Sequence, residues 1–322
     1  MKIYNKSCYD LTEIADESID ALITDPPYGI SFKGHYWDKD LPNPRIWSDC
    51  LRVLKPGAFG LVFSSIRLQH RLTVHLEDAG FAIKDVLMWG FLNGMPKSRD
   101  VGLEIDKALG VKSDKIGEYK YVQGYKKEAV GDYYASESKS IQAPSSELGK
   151  KYKGFGNGIK PAYEPIVLIQ KPLTDRVAQN IIEFGVGGLN LEETRLPYGQ
   201  DDGKVGHNPH PAGRVMANML RIEEFGDGYD KYFLVPKVRQ SKDDFNHHPT
   251  LKPVHLMHQL VKLLTLKGQI VLDPFMGSGS TGVAALTCQR DFVGYELEKE
   301  YFEVAQRRLN ESGKRPLQLL EP

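Results

Sequence analysis

From residue 1 to 96 short apolar runs alternate with amphipathic stretches. Ile19 to Thr24 has the length and continuity of a buried strand. Arg45 to Leu54 places Ile46, Trp47, Cys50, Leu51 and Leu54 on one helical face, and Pro56-Gly57 stops that helix. Ala58 to Ser64 is strand-like, Arg67 to Ala79 is helical with Gly80 as its C-terminal stop, and Phe81 to Trp89 is a further strand. The same texture returns over 249–322. Helix is predicted for Val254 to Leu266, Ser280 to Cys288 and Lys299 to Leu309, with strands at Gln269 to Leu272 and Asp291 to Tyr295. Strands alternating with helices predict an α/β fold with a mainly parallel sheet, to which both ends of the chain contribute.

Between these ends the periodicity fades. Residues 97–160 form an insertion in which Lys112 to Lys160 contains ten Lys and six acids. Tyr119, Tyr121, Tyr125, Tyr133, Tyr134 and Tyr152 are interspersed among them. Residues 161–172 hold one more core strand, Ala162 to Ile169, and 173–248 read as irregular. The predicted organisation is an α/β core in two pieces, 1–96 and 249–322, interrupted by less regular insertions. There is no internal repeat and no low-complexity tract.

Composition narrows the class. Of 322 residues 41% are hydrophobic and 26% charged, enough apolar side chain to offset chain entropy. Runs such as Ala58 to Phe63 and Ile166 to Ile169 are too short to cross a bilayer, so no membrane association is expected. No apolar h-region follows Met1 to Lys6, which makes the cytoplasm the expected compartment. Cys8, Cys50 and Cys288 offer neither a disulfide framework nor a CxxC pair. His247 and His248 have no carboxylate or cysteine at ligand spacing, so no metal is expected and they read as loop residues. Lys+Arg and Asp+Glu balance at 42 each, which excludes a uniformly basic coat but leaves a local basic groove open.

The sharpest local feature runs from Val271 to Gly282, VLDPFMGSGSTG. A strand ends at Asp273, a glycine-rich turn follows, and a helix begins near Ser280. Gly277, Gly279 and Gly282 satisfy G-x-G-x-x-G, and Glu296 lies nineteen residues beyond Gly277 at the end of the next strand. Glycines admit a ligand close to the backbone, and an acid at that place accepts hydrogen bonds from ribose hydroxyls. A nucleoside-type cofactor follows. NAD stays open on this motif alone, although Asp273-Pro274 ahead of the loop is unlike most nicotinamide sites.

Asp25-Pro26-Pro27-Tyr28 follows the first predicted strand, at the edge where open α/β sheets bind ligands. Two prolines fix the backbone and remove N–H donors, so a carboxylate and a rigid carbonyl present acceptors to one amino group. Tyr28 adds a flat face for a planar ring. An amino group on a base is a poor nucleophile because its lone pair is delocalised into the ring. Accepting its hydrogens on Asp25 and the Pro26 carbonyl localises that lone pair, a transition-state effect of preorganised acceptors.

Together the two motifs resemble the amino-directed DNA methyltransferases, which modify adenine N6 or cytosine N4, with the DPPY-before-glycine-loop order of the β subclass. Further matches are Leu54-Lys55-Pro56-Gly57, Trp89 with Asn93-Gly94-Met95-Pro96, Ala162-Tyr163-Glu164, His248-Pro249-Thr250-Leu251-Lys252-Pro253, and Tyr301 with Ala305. The resemblance implies a Rossmann-like fold that uses S-adenosyl-L-methionine. It implies that Asp273, Phe275, Gly277 and Gly279 line the cofactor's methionine side, with Pro274, Ser278 and Thr281 also among the cofactor-binding residues. Glu296 would hold the ribose, and Lys252-Pro253 would close the cofactor pocket. Ser7 and Cys8, after a strand over Lys2 to Lys6, would stand near the adenine ring. Asp25, Pro26, Pro27 and Tyr28 would be the catalytic set.

A base inside a duplex cannot reach such a site, so the partner is DNA with a flipped target base. The Lys/Tyr insertion, densest at Lys150 to Phe155, is the candidate DNA contact. Residues 195–245 with Arg195, Arg214, Arg221, Lys237 and Arg239, within an inserted target-recognition region over 173–248, are the second candidate for target recognition. Asp at the first place of the tetrapeptide points to adenine N6 in this family. Cytosine N4 is the nearest alternative, and an RNA methyltransferase or a catalytically silent DNA-binding module is further off. The implied setting is bacterial or viral restriction–modification, with the oligomeric state open, a dimer included.

Overall fold

The computed structural model describes residues 1–31, 34–91, 99–128, 131–195, 210–220, 245–246 and 248–312. In chain order the elements are β1 (Lys2–Tyr4), β2 (Ile19–Thr24), α1 (Arg45–Val53), β3 (Leu54–Phe63), α2 (Gln69–Asp78), β4 (Ala82–Gly90), α3 (Val101–Ala108), β5 (Asp114–Glu128) and β6 (Gly131–Ala143). There follow α4 (Glu147–Lys151), β7 (Tyr163–Gln170), α5 (Val177–Phe184), β8 (Met219–Leu220), α6 (Val254–Leu264), β9 (Ile270–Asp273), α7 (Ser280–Thr287), β10 (Asp291–Tyr295) and α8 (Lys299–Ser312). They fall into two units, one of Met1–Asn93 with Ala162–Pro322 and one of Gly94–Pro161.

The first unit carries an eight-stranded sheet in the order β1-β10-β9-β2-β3-β7-β4-β8. Every pairing is parallel except those of β7, which runs antiparallel to both β3 and β4. Every residue of β2 is buried because both faces of the sheet are covered. Ala21 and Ile23 pack into one core layer with Leu256, Leu260 and Val261 of α6 and Ala284 of α7, while Leu22 enters the other with Ile46, Trp47 and Cys50 of α1. Each large apolar side chain so removed from water contributes about 1.5–3 kcal/mol.

The pairing of β9 with β2 matters most for function. Val271 pairs with Ala21 and Leu272 with Leu22, so two segments 250 positions apart lie side by side in parallel. Their carboxyl ends, Thr24 and Asp273, therefore emerge together. Chain order runs outward in both directions from that pair, and ligands of open α/β sheets bind at such a crossing.

Two expectations need correction. Leu54 belongs to β3, not to the preceding helix, because it pairs with Ile19 of β2 and carries the strand start into Lys55-Pro56-Gly57. The stretch after residue 173 is not wholly irregular, for α5 lies within it. Asn180 anchors that helix by donating to the Pro56 and Val186 carbonyls at 2.8 Å each. Its helical pattern was hidden by this buried polar residue on the inward face.

The second unit is more regular than the composition suggested. β5 and β6 pair along their whole length as a long antiparallel ribbon, from Asp114↔Ala143 to Glu128↔Gly131. Asp100 caps α3 by accepting from the Gly102 N–H at 2.8 Å, and its other oxygen takes the Gly154 N–H at 2.9 Å. Asp106 accepts from the Ser145 N–H at 2.7 Å and the Ser113 hydroxyl at 3.0 Å, which ties α3 to both strands at the open end of the ribbon. The ribbon escaped a periodicity reading because Gly, Lys and Ser replace the usual alternating apolar residues.

Candidate active site

Asp25, Pro26, Pro27 and Tyr28 leave the end of β2, and a buried carboxylate sets their course. Asp38 accepts from the Tyr28 N–H at 2.5 Å and the Gly29 N–H at 3.2 Å. No spacing rule marks Asp38, so sequence reasoning missed it. The Tyr28 hydroxyl donates to Asp25 Oδ1 at 2.6 Å. The Lys252 ammonium donates to Asp25 Oδ2 and lies 3.3 Å from the Tyr28 hydroxyl. Lys252 was expected to close the cofactor pocket with Pro253. Its ammonium sits on the carboxylate of the tetrapeptide, and Pro253 takes the N-cap position of α6.

A fourth member comes from β7. Glu164 Oε2 stands 3.7 Å from Lys252 Nζ and 3.5 Å from the Tyr28 hydroxyl. The antiparallel direction of β7 explains its position: the start of that strand lies where the parallel strands end, with Glu164 paired to Trp89. Phe63 and Tyr28 offer their rings to the ammonium at 5.0 and 5.6 Å. Burial pushes the Asp25 carboxyl above its ordinary value, with Lys252 pulling the other way. Burial likewise pushes the Tyr28 phenol well up, so it stays protonated as a donor. Burial would lower the Lys252 amine, but Asp25 and Glu164 together raise it above its usual value.

The glycine loop follows β9. Asp273 is buried at its start, with Oδ1 accepting from the Thr24 hydroxyl at 2.7 Å and the Phe275 N–H at 3.1 Å. Its Oδ2 accepts from the Thr281 hydroxyl at 2.6 Å. Asp273 and Thr281 thus brace the loop to β2, and burial pushes the Asp273 carboxyl up to about 6. Phe275 packs toward Trp47 at 6.3 Å. Gly277 and Gly279 have φ of +52° and +79°, and a Cβ at Gly277 would stand 2.8 Å from the His248 ring. Arg308 of α8 donates to the Ser278 carbonyl at 2.6 Å, the Ser278 hydroxyl at 2.9 Å and the Ser280 hydroxyl at 3.2 Å. Sequence reasoning gave Arg308 no role.

Glu296, at the end of β10, accepts from the Gly277 N–H at 3.0 Å and the Glu298 N–H at 2.8 Å. Burial first, then the Glu298 and Asp273 carboxylates, push it up to about 7. His248 proves to be more than a loop residue: its ring meets Tyr301 at 4.4 Å and Trp37 at 6.5 Å, beside Gly277. Burial drives its imidazole down to about 4, so it is neutral at pH 7. Ser7 Oγ accepts from the Tyr9 N–H at 3.3 Å, and the Cys8 thiol is buried and pushed up to about 12. Arg195 is bound to Glu192 at 2.6 Å and to the Gly213 carbonyl at 2.9 Å, so its charge is used within the fold. Arg221, Lys237, Arg239, His247 and Asn93 to Pro96 lie outside the described residues.

The cradle fits a nucleoside cofactor. A Cβ at Gly277 would meet the His248 ring, so glycine lets the loop close against that ring, and Glu296 presents a carboxylate at the end of the neighbouring strand. Among the described residues no group of three or more His, Cys, Asp or Glu is placed to hold a metal ion, and no helix is long and apolar enough to cross a membrane.

Residues 19–307 match the DNA methylase family of N6 and N4 methyltransferases. The chain is 26% identical to the type II methyltransferase M.HindIII of Haemophilus influenzae, over 95% of this chain and 94% of that protein. It is also 26% identical to the DNA adenine methyltransferase YhdJ of Escherichia coli, over 96% and 82%. The solved structure of TTHA0409 from Thermus thermophilus shares the fold with a TM-score of 0.53 at 17% identity, covering 97% of this chain and 96% of that one.

Proposed function

The chain belongs to the DNA methylase family of N6 and N4 methyltransferases, and from that premise we propose that it methylates the N6 amino group of adenine in DNA. The observation that carries this reading is the junction of β2 and β9, where the Thr24 hydroxyl meets Asp273 at 2.7 Å. That contact sets the Asp25 to Tyr28 tetrapeptide beside the glycine loop. The adenine assignment rests on Asp25 at the head of the tetrapeptide and on the adenine specificity in the name of the Escherichia coli relative.

S-adenosyl-L-methionine supplies an electrophilic methyl group on a sulfonium. Gly277, Ser278 and Gly279 would admit its methionine part, with Phe275 beside them, and Glu296 would accept the ribose hydroxyls. Asp25 and the Pro26 carbonyl accept the two hydrogens of the target amine, which localises its lone pair toward the methyl. Tyr28 holds the flipped base by its ring and Asp25 by its hydroxyl. Loop and tetrapeptide are braced to each other by Thr24 and Asp273, which fixes donor and acceptor for in-line transfer.

Residues Gly94–Pro161 are the proposed DNA-contacting unit, since lysines meet phosphates and aromatic rings stack on bases. The proposed setting is the bacterial cytoplasm, protecting host DNA in a restriction–modification pair. Incubation with labelled cofactor and unmethylated genomic DNA, followed by nucleoside mass spectrometry, tests the reading. N6-methyladenine is expected. N4-methylcytosine would overturn the base assignment, and absence of label from DNA would overturn the substrate.

A further inference from the structure

The contacts around Asp25 set two demands on it against each other. As the amine acceptor it must present its oxygens to the target base, yet Oδ1 is engaged by the Tyr28 hydroxyl and Oδ2 by the Lys252 ammonium. An ammonium on that carboxylate competes with the entering amine for its lone pairs. It also repels the positive charge that develops on nitrogen as the methyl arrives. Lys252 therefore has to leave Asp25 during the reaction. Its side chain is only 9% exposed, and a buried ammonium cannot move to an uncharged place without a heavy desolvation cost.

Glu164 is the carboxylate within reach. Its side chain is 14% exposed, and its Oε2 already stands 3.7 Å from Lys252 Nζ, so a small shift of the ammonium completes the exchange. The Tyr28 hydroxyl lies between the two carboxylates, at 2.6 Å from Asp25 and 3.5 Å from Glu164. We propose that Glu164 is a positioning residue of the transfer reaction, the carboxylate that receives the Lys252 ammonium when the target amine takes over Asp25. The proposal rests on the reading of Asp25 as amine acceptor.

The test measures the rate of label transfer from S-adenosyl-L-methionine to unmethylated genomic DNA, with cofactor and DNA dissociation constants, for full-length proteins. Glu164→Gln leaves the ammonium on Asp25 and is expected to lower kcat about 100-fold while both dissociation constants stay within about twofold. Lys252→Met alone leaves two carboxylates facing each other and also slows transfer. The decisive comparison is therefore the double variant: removing the lysine from Glu164→Gln frees Asp25 and raises kcat at least about tenfold. A Glu164→Gln enzyme with wild-type kcat overturns the proposal, as does a double variant no faster than Glu164→Gln. If Glu164→Gln fails to fold, Glu164→Ala takes its place, and Lys252→Met must raise kcat in that background too. A wild type that transfers no label overturns the functional reading, and the proposal with it, which separates that failure from the others.

Discussion

On the cofactor side of the site, most of the functional groups are close in sequence. Asp273, Gly277, Ser278, Gly279 and Thr281 form one strand–turn–helix segment, and Glu296 ends the next strand. Their hydrogen bonds run mostly within that segment, from the Thr281 hydroxyl to Asp273 and from the Gly277 N–H to Glu296. On the base side, Asp25, Tyr28, Glu164 and Lys252 come from three distant stretches of chain and meet only through the sheet. On the proposed reading the cofactor side works by shape and backbone, so losing one group weakens binding by a step. The base side works by balancing buried charge, so losing one group changes the state of the others.

The largest effect should come from the base side. Asp25→Ala removes the proposed amine acceptor, and a kcat loss of about 10³-fold is expected, with the cofactor dissociation constant within about twofold of wild type. Calorimetry with S-adenosyl-L-methionine and a transfer assay separate the two. Loss of cofactor binding by this variant would erase the distinction between the sides.

Glu296→Gln should show the converse pattern. Weakening the acceptor of two ribose hydroxyls raises the cofactor dissociation constant about 10- to 100-fold, since a charged hydrogen bond contributes about 1.5–3 kcal/mol. At saturating cofactor, kcat should be close to that of wild type. An unchanged dissociation constant would remove Glu296 from the cofactor site.

A pH series sharpens the same point. Glu296 is pushed up to about 7 in the folded protein, and on the proposed reading the ribose hydroxyls bind its ionised form. Cofactor affinity is therefore full above about 7 and declines as pH falls through it, by at most about tenfold per pH unit. For the stability of the fold without cofactor the sign reverses. The unfolded chain releases this proton first, so the fold loses stability as pH rises from the ordinary carboxylate range toward about 7. Isothermal titration across roughly pH 6 to 8 checks the first statement, and Glu296→Gln should flatten the curve.

The smallest effect should follow Arg308→Met, which releases the Ser278 carbonyl and both serine hydroxyls. A loosened loop predicts a cofactor dissociation constant raised about 3- to 10-fold with kcat nearly unchanged, because only orientation is lost. A kcat loss as large as that of Asp25→Ala would mean that the loop also positions the base.

Much of this arrangement was legible in the residues themselves. The apolar run Ile19 to Thr24 and the helix over Val254 to Leu264 follow from local periodicity, which records whether one face or both are buried. The glycine loop was legible because a backbone at positive φ demands glycine at Gly277 and Gly279. The tetrapeptide was legible because two prolines beside an Asp fix acceptors in one place. The β5–β6 ribbon and α5 were hidden, the first by Gly, Lys and Ser in strand positions and the second by Asn180 on its buried face.

What the tertiary structure alone decided is which strand lies beside which, and in what direction. Periodicity says that Ala162 to Ile169 is a strand, but not that it enters antiparallel between β3 and β4. That direction delivers Glu164 to the carboxyl edge, within 3.7 Å of Lys252. The ammonium of Lys252 is likewise brought to Asp25, 227 positions away. A buried charge goes to the nearest carboxylate in space, and distance in space is set by strand order and direction, which local residue patterns do not encode.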